Sequence, residues 1–349
     1  MFDNNRSAPV PAGYRPTQGI HTQPPVYFLE DLKGKVLWEA MDPDCCHFLR
    51  HVLERRRPDG LQMIFSEVKD HICILMLDWY GSYVIEKLYE VCDNEQMEQV
   101  VFSVTSDADV LMAVCLNSRG SKSMKKFIEC LRTPEQKSHM ISIFQSMTVP
   151  LVNHKTGVGV IRHCLYIFPE KQTQIFDVIA DNLFEIATTE SGAFLLREVL
   201  NSQVFPPEIR QHILSEIIEN VHRLYLEPFG SRVVLHVITV RLEEGVRDIV
   251  ARLTGAFACM SVNKYGTWIV NELMEIYKKE YTPQIINEII SSSDFPRVLL
   301  HPYGKDIIEH AKKHTTGAVL NSLNHQIALH SDHSRSPCHG ENVKPKWKI

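Results

Sequence analysis

The chain has 349 residues, about twice the length of a typical single domain, so it allows either two ordinary domains or one elongated repeat array. Its 44% hydrophobic and 23% charged residues are typical of a soluble protein with a packed core. The formal net charge of −5 excludes a wholly basic nucleic-acid-binding protein, so any anion-binding surface must be local.

Cysteine usage and hydropathy indicate the compartment. The nine cysteines are odd in number and include no CxxC pair, which predicts reduced thiols in an intracellular protein. No apolar run approaches the ~18 residues of a membrane span, and residues 1–25 contain no apolar segment of the secretory type. We therefore expect a cytoplasmic location, with the nucleus left open, and no membrane partner.

Both ends of the sequence are polar. Residues 1–30 are rich in Pro, Asn and Gln and have almost no clustered apolar side chains, which predicts a disordered N-terminal tail. Residues 330–349, rich in Ser, His, Lys and Pro, predict a disordered C-terminal tail. One folded domain is expected between them, over residues 31–329.

A short motif recurs through this domain: a polar residue, two variable residues, a glycine, two variable residues and two apolar residues. The spacing between successive copies varies from 35 to 39 and averages 37 residues, which predicts a solenoid of eight repeats. The glycine position, numbered zero below, holds Cys45, Gly81, Gly120, Gly157, Gly192, Gly230, Gly266 and Gly304.

Each unit predicts helices. Positions +3, +4 and +7 are mostly apolar, as in Val84, Ile85 and Leu88, and form one stripe of a helix that begins near the glycine. A further helix follows in most units, and its start is indicated by prolines. These prolines are Pro134, Pro169, Pro207 and Pro283, and Thr133 with Gln136 predicts a capping box. The predicted fold is all-α.

Positions +1, +2 and +5 are expected to protrude from one patch of each such helix. Seven of these 24 residues are basic and three are acidic, a net +4 that leaves −9 for the rest of the chain. Cations interleaved with aromatic rings are what single-stranded nucleic acid requires for its phosphates and bases. The predicted RNA-binding residues are Cys46, His47, Arg50, Ser82, Tyr83, Glu86, Ser121, Lys122, Lys125, Arg162, Phe194, Arg197, Ser231, Arg232, Thr267, Trp268, Asn271, Lys305 and Glu309.

The segments 78–86 (DWYGSYVIE), 227–234 (EPFGSRVV) and 263–270 (NKYGTWIV) resemble the central helix of Pumilio (PUF) repeats. The resemblance implies a right-handed crescent of eight three-helix repeats that binds single-stranded RNA on its concave face. It implies one base per repeat, with +1 and +5 bonding the base edge and +2 stacking. It also implies an antiparallel RNA, so that the second unit reads a base near the 3′ end. The implied function is control of mRNA translation or stability through 3′ untranslated regions, by a monomer with an effector protein on its convex face.

The pairs at +1 and +5 depart from the family pattern in the last three units. Family members that read a UGU element use Asn or Ser with Gln or Glu there. Only Ser82 with Glu86 matches a family pairing in full, the one that selects guanine, and Cys46 with Arg50 is similar to a pairing associated with cytosine. These departures favour binding through phosphates and stacking. The departing pairs are Ser231 with Leu235, Thr267 with Asn271, and Lys305 with Glu309.

Two other functions stay open at this point. Val158, Gly159, Ala193 and Leu235 are the +1, +2 or +5 residues that favour a protein-binding α-solenoid scaffold of the armadillo or HEAT type. A diverged PUF protein could instead bind structured or ribosomal RNA without strong base selectivity.

Motifs for catalysis and metal binding are weak. Gly157 and Gly159 belong to the repeat and lack the Lys-Ser/Thr of a phosphate loop. His310 and His314 are one helical turn apart but do not follow the HExxH order, and the histidines of the C-terminal tail are irregularly spaced. We therefore predict no enzyme activity, no cofactor and no metal site.

Overall fold

The computed structural model describes residues 27–333, and all regular structure within this range is helical. The α-helices are α1 (Val36–Glu39), α2 (Cys45–Glu54), α3 (Pro58–Val68), α4 (Ile72–Leu77), α5 (Gly81–Val91), α6 (Asn94–Thr105), α7 (Ala108–Leu116), α8 (Gly120–Glu129), α9 (Pro134–Val152), α10 (Gly157–Ile167), α11 (Gln172–Asp181), α12 (Leu183–Ala187), α13 (Glu190–Asn201), α14 (Pro207–Glu219), α15 (Val221–Leu224), α16 (Gly230–Thr239), α17 (Glu243–Leu253), α18 (Phe257–Met260), α19 (Lys264–Ile276), α20 (Thr282–Ser291), α21 (Phe295–Leu300), α22 (Pro302–His314) and α23 (Gly317–His333). Short 3-10 helices cover Leu29–Leu32, Lys69–His71 and Pro169–Lys171.

Most units are helix triplets. A short helix leads to a longer helix that begins at or next to the repeat glycine, and a third helix follows, as in α4, α5 and α6. We call the second member of each triplet the glycine helix. The glycine helices are α2, α5, α8, α10, α13, α16, α19 and α22. The all-α solenoid predicted from the repeat is thereby confirmed.

Contacts divide the described residues into two compact lobes. The N-terminal lobe comprises residues 27–182, with Glu190–Leu195 and Ser202–Ile209. The C-terminal lobe comprises Leu183–Thr189, Leu196–Asn201 and residues 210–333. The tails predicted at residues 1–30 and 330–349 lie largely outside the described residues. At the described edges, a 3-10 helix begins at Leu29 and α23 continues to His333.

The polar residue of the motif, at position −3, starts the glycine helix. The Oδ1 atom of Asp78 accepts hydrogen bonds from the backbone N–H groups of Tyr80 and Gly81 at 2.9 and 2.7 Å. Asn263 accepts the equivalent pair, both at 2.9 Å. These bonds satisfy amides that have no partner within the helix. The first residue of the motif thus sets where the glycine helix begins.

The repeat glycine permits a close backbone approach. A Cβ atom on Gly304 would lie 2.0 Å from the carbonyl oxygen of Val298, which belongs to the preceding short helix. At Gly120 the corresponding contact, to the carbonyl oxygen of Val114, would be 2.5 Å. Any side chain at these two positions would force the short helix away from the glycine helix.

The predicted apolar stripe forms the core. Val84, Ile85 and Leu88 of α5 are fully buried, and the residues at the same positions of α16, Val233, Val234 and Val237, are buried as well. Isoleucines of the third helices, such as those of α14 and α20, close the other side. The stripe is therefore correctly predicted as the inward face of the glycine helix.

The third helices begin mostly where the prolines indicate. Thr133 and Gln136 form the predicted capping box at the start of α9. Pro169 instead opens a 3-10 helix, and α11 begins later, at Gln172. Helix α9 is 19 residues long with Pro150 inside, so it joins the third helix of one unit to the short helix of the next.

Within the described range, no single helix has both the length and the apolar composition of a membrane span, and α6 with α7 reaches them only as a pair bent by 91°. The eight cysteines that the structure describes are free thiols, most of them buried.

Candidate nucleic-acid interface

Positions +2 and +5 of the glycine helices are accessible. The +2 side chains are exposed at His47, Lys122, Phe194, Arg232, Trp268 and Asp306, and half-buried at Tyr83. The +5 side chains are half-buried at Arg50, Glu86, Lys125, Arg162, Arg197, Leu235 and Asn271, and exposed at Glu309. We call the residues at these two positions the +2/+5 row.

Position +1 behaves differently from the prediction. The expectation that it protrudes beside +2 and +5 is wrong at Cys46, Ser82, Ser121, Ser231 and Thr267, which are all buried. Lys305 of the last unit is exposed.

The physical reason is a local hydrogen bond at the start of each helix. The Ser82 hydroxyl donates to the carbonyl oxygen of Trp79 at 3.0 Å, and the Ser231 hydroxyl donates to that of Pro228 at 3.1 Å. Short hydroxyl side chains commonly bond back to the preceding turn in this way. The role of these buried residues in RNA binding stays a prediction.

In the N-terminal lobe, the +5 residue of one glycine helix lies beside the +2 residue of the next. The Arg50 guanidinium lies 5.8 Å from the centre of the Tyr83 ring, and the Arg162 guanidinium lies 5.9 Å from that of Phe194. Both distances are within the range of a cation–π contact. At these two steps, a cation of one glycine helix therefore lies beside a ring of the next.

The same step between α8 and α10 has a glycine at +2. A Cβ atom on Gly159 would lie 3.1 Å from Nζ of Lys125, so the missing side chain leaves room for the ammonium group. The pKa of Lys125 is lowered, first by burial and then by the charges of Arg162 and Lys122. Three cations thus crowd one place, and an anion bound there would relieve their repulsion.

Glu86 is the acidic member of the row in the N-terminal lobe. Its carboxylate is half-buried, and burial raises its pKa. The positive charges of Arg119, Lys126 and Arg50 oppose this rise. A carboxylate held among donors in this way is suited to accept hydrogen bonds from a base edge.

Two further residues join this surface, and the sequence analysis did not select them. The Trp79 side chain is 60% exposed, and the Arg119 guanidinium lies 3.5 Å from the centre of its ring. Arg119 also lies 5.5 Å from the centre of the Tyr83 ring. Both residues lie just before a repeat glycine, at −2 and −1, outside the positions considered. An exposed tryptophan in the short connection before α5 was the signal for this site.

In the C-terminal lobe the row carries aromatic and cationic residues too. Trp268 is 40% exposed and packs edge-on against Tyr265, with ring centres 5.4 Å apart. Arg232 lies 5.4 Å from the centre of the Phe229 ring. The last glycine helix, α22, is mixed in charge, since it presents Lys305, Asp306 and Glu309.

A charge ladder flanks the row in the N-terminal lobe. It consists of carboxylates at +9 and basic residues at +6 of successive glycine helices: Glu54, Lys87, Glu90, Lys126, Glu129 and His163. The Glu90 carboxylate lies 2.9 Å from the ammonium groups of both Lys87 and Lys126. At the end of the ladder, Nε2 of His163 lies 3.1 Å from the Glu129 carboxylate. These pairs link neighbouring glycine helices and hold the row in register.

Stacked helix triplets that align rings and cations on successive helices define an α-helical repeat protein with a surface suited to a flexible anionic ligand. The family model described as "Pumilio-family RNA binding repeat" matches residues 71–104 and 257–290. Pumilio homolog 12 of Arabidopsis thaliana is 29% identical over 326 residues, which cover 93% of this chain and 54% of the relative. Pumilio homolog 11 of the same plant is 30% identical over 324 residues, covering 91% and 57%.

A solved structure has the same fold. The Puf4 RNA binding domain bound to the HO endonuclease RNA 3′ UTR recognition sequence superposes with a TM-score of 0.63 at 26% identity, over 83% of this chain and 91% of that domain. The chain therefore carries repeats that match the Pumilio (PUF) family model and has the fold of a PUF RNA-binding domain. It spans about half the length of the two Arabidopsis relatives.

Proposed function

We propose that this protein binds single-stranded RNA through the +2/+5 row of each lobe. We further propose that it regulates the translation or stability of mRNAs through their 3′ untranslated regions. The observation that carries this proposal is the crowding of Lys125 by Arg162 and Lys122, whose charges add to the effect of burial in lowering the pKa of Lys125. Cations accumulate electrostatic cost when they are brought together, and a phosphate backbone removes that cost. Its proposed place of action is the cytoplasm, in a role that is not catalytic.

Aromatic rings beside these cations supply the second half of the interaction. Tyr83, Phe194 and Trp268 occupy +2, and each offers a flat face to solvent or to a neighbouring guanidinium. Stacking of one base on such a ring contributes ~1–3 kcal/mol and tolerates every base. The structure of Puf4 with a 3′ UTR sequence supports the choice of ligand class.

Burial of the +1 side chains changes which side chains could contact the edges of the bases. Because Ser82 and Thr267 engage their own backbone, Glu86 and Asn271 at +5 are left as the accessible edge-reading groups of those units. Ser231 does the same, but Leu235 at +5 of its unit has no hydrogen-bonding group. We therefore propose that phosphate contacts and stacking supply most of the affinity, and that selectivity is concentrated at the units whose +5 residue is charged or carries an amide.

The scaffold alternative loses support from the same geometry. Ala193 is buried, and the space left by Gly159 lies against the Lys125 ammonium, so neither residue contributes to an apolar groove. An apolar peptide is thus a poorer match for this surface than an RNA strand.

Fluorescence anisotropy with a random single-stranded RNA pool, measured at several salt concentrations, tests the proposal. Affinity should fall steeply with salt, and Lys125→Ala should reduce the slope of log K against log salt by about 0.7 for one lost phosphate contact. Because Lys125 is crowded by cations, this variant should not lower thermal stability. Lys279→Ala, an exposed lysine between α19 and α20, is the matched control and should bind as the wild type does.

Two results would overturn the proposal. One is the absence of binding above background at low salt, which would favour a protein ligand. The other is equal loss of affinity in Lys125→Ala and Lys279→Ala, which would show that the row has no special role. A structured RNA that outcompetes the single-stranded pool would support the diverged, structure-binding alternative.

A further inference from the structure

Three metal-ligating side chains meet in the C-terminal lobe, away from the positions assigned to RNA. Glu275 lies near the end of α19, and His310 and His314 lie four residues apart on α22. Nε2 of His310 is 3.4 Å from the Glu275 carboxylate, and the two imidazole centres are 4.3 Å apart. One ligand atom from each of the three residues lies within 4.8 Å of the other two. We propose that Glu275, His310 and His314 bind a zinc ion.

The donor set suits this metal. Zinc takes imidazole nitrogens and carboxylate oxygens, and two histidines with one glutamate and a water complete four positions. With bonds of about 2.1 Å, ligand atoms of a tetrahedral site lie about 3.4 Å apart, so the present atoms, which lie within 4.8 Å of one another, need to converge by up to about 1.4 Å. The Glu275 side chain is 61% exposed and is free to make that movement. Spacing of four residues brings two histidines to the same face of a helix.

Comparison with the rest of the chain shows what is particular to this place. Glu275 and His310 occupy positions +9 and +6, the same positions as Glu129 and His163 in the charge ladder of the N-terminal lobe. At +10 the glycine helix α10 carries Ile167, whereas α22 carries His314. The last triplet therefore adds a third ligand to a carboxylate–histidine pair that elsewhere only links two helices.

His310 is also uncommitted on its second nitrogen. Its Nδ1 atom is buried and has no hydrogen-bond partner among the described residues, so no competing network fixes the ring. A metal held by residues of α19 and α22 would connect two successive glycine helices. It would thereby stabilise the last triplet, because a ligand that binds only the folded state raises the melting temperature.

The prediction of no metal site is thus revised for a reason that the sequence conceals. His310 and His314 are visible as a pair in the sequence, but Glu275 precedes them by 35 residues and approaches only through the stacking of two triplets.

Isothermal titration of the untagged, chelator-treated full chain with Zn²⁺ tests the site, with Co²⁺ absorption as a report of tetrahedral coordination. We expect one equivalent bound and a higher melting temperature with metal. His314→Ala and Glu275→Gln should each weaken binding at least about tenfold, as losses around zinc sites do. His163→Ala, which removes the histidine of the two-ligand pair, is the matched control and should bind zinc as the wild type does.

A separate variant, Cys338→Ser with His339→Ala, removes candidate ligands of the C-terminal tail. Unchanged binding in that variant supports the site on α19 and α22, and loss of binding there overturns it. Wild-type affinity in His314→Ala, or the absence of zinc binding by the wild type, would overturn it as well. Circular dichroism of each metal-free variant checks that folding is retained, and His314→Gln serves as a second variant if the alanine does not fold.

Discussion

Glu86 is the residue where base selectivity can be altered by one atom. An ionised carboxylate can accept hydrogen bonds from the N1–H and N2–H groups of guanine, whereas adenine presents an acceptor at N1. Glu86→Gln keeps the shape and supplies a donor, so the preference at one base should move from guanine towards adenine. The Glu86 side chain is half-buried, so water competes weakly for the base edge. Edge readout of this kind is worth ~1–3 kcal/mol, which corresponds to about 5- to 140-fold in relative affinity.

The same variant has a consequence for stability. Because burial raises the pKa of Glu86 in the folded protein, its contribution to stability is fully present below the unfolded pKa and is lost as the pH rises through the folded value. Glutamine is not subject to that loss. Glu86→Gln should therefore be more stable than the wild type at neutral pH, and the difference should shrink towards zero in acid. Urea unfolding at several pH values measures it.

Competition anisotropy measures the base preference, with two RNAs that differ only at the base near the 3′ end assigned to α5. Glu98→Gln, an exposed glutamate on the third helix α6, is the matched control and should leave the preference unchanged. Identical preferences in the wild type and Glu86→Gln would show that this helix does not read a base edge. The mechanism of one base per repeat would then not apply to this protein.

Three other substitutions probe stacking, the charge ladder and the helix approach. Tyr83→Ala should weaken RNA binding by ~1–3 kcal/mol in anisotropy without changing the preferred base, since stacking is tolerant of sequence. Glu90→Gln removes two exposed ion pairs of 2.9 Å, so the free energy of unfolding by urea should fall by about 0.4–2 kcal/mol at low salt and less at high salt. The lysines lower the pKa of Glu90, so this loss should disappear as the pH falls through the folded value. Gly304→Ala forces a Cβ to within 2.0 Å of a carbonyl oxygen and should destabilise by ~1–3 kcal/mol in thermal unfolding, whereas Gly159→Ala, which meets only a mobile lysine end, should cost less.

The fold was largely predictable because the repeat is local. A motif of eight residues contains the cap at −3, the glycine that permits close approach and the apolar pair that enters the core. Each of these acts within one or two helical turns, so spacing along the chain is sufficient to find it. The fusion of two helices into α9 was not predicted, because a proline such as Pro150 ordinarily interrupts a helix.

The candidate site was predictable only in part. Helical periodicity places +1 and +5 on one face, but it does not reveal that the Ser82 hydroxyl turns back to the carbonyl oxygen of Trp79. Contacts between triplets were also hidden, because residues such as Glu90 and Lys126 are 36 positions apart in the chain. The pairing of Arg119 with Trp79 and the approach of Glu275 to His310 are of the same kind.

The charge ladder explains how an acidic chain can present a cationic row. On α8, Lys126 at +6 lies within ion-pair distance of carboxylates on its own helix and on α5, so its charge is largely neutralised. Lys125, one position earlier, faces another direction, and the charges that shift its pKa are those of Arg162 and Lys122. Successive residues of one helix thus divide the two tasks: +6 links neighbouring helices and +5 keeps its charge for a ligand. A net charge of −5 is compatible with RNA binding because the charge is unevenly distributed: the +1, +2 and +5 residues carry a net +4 and the rest of the chain −9. In the N-terminal lobe, the ladder carboxylates pair with the cations at +6.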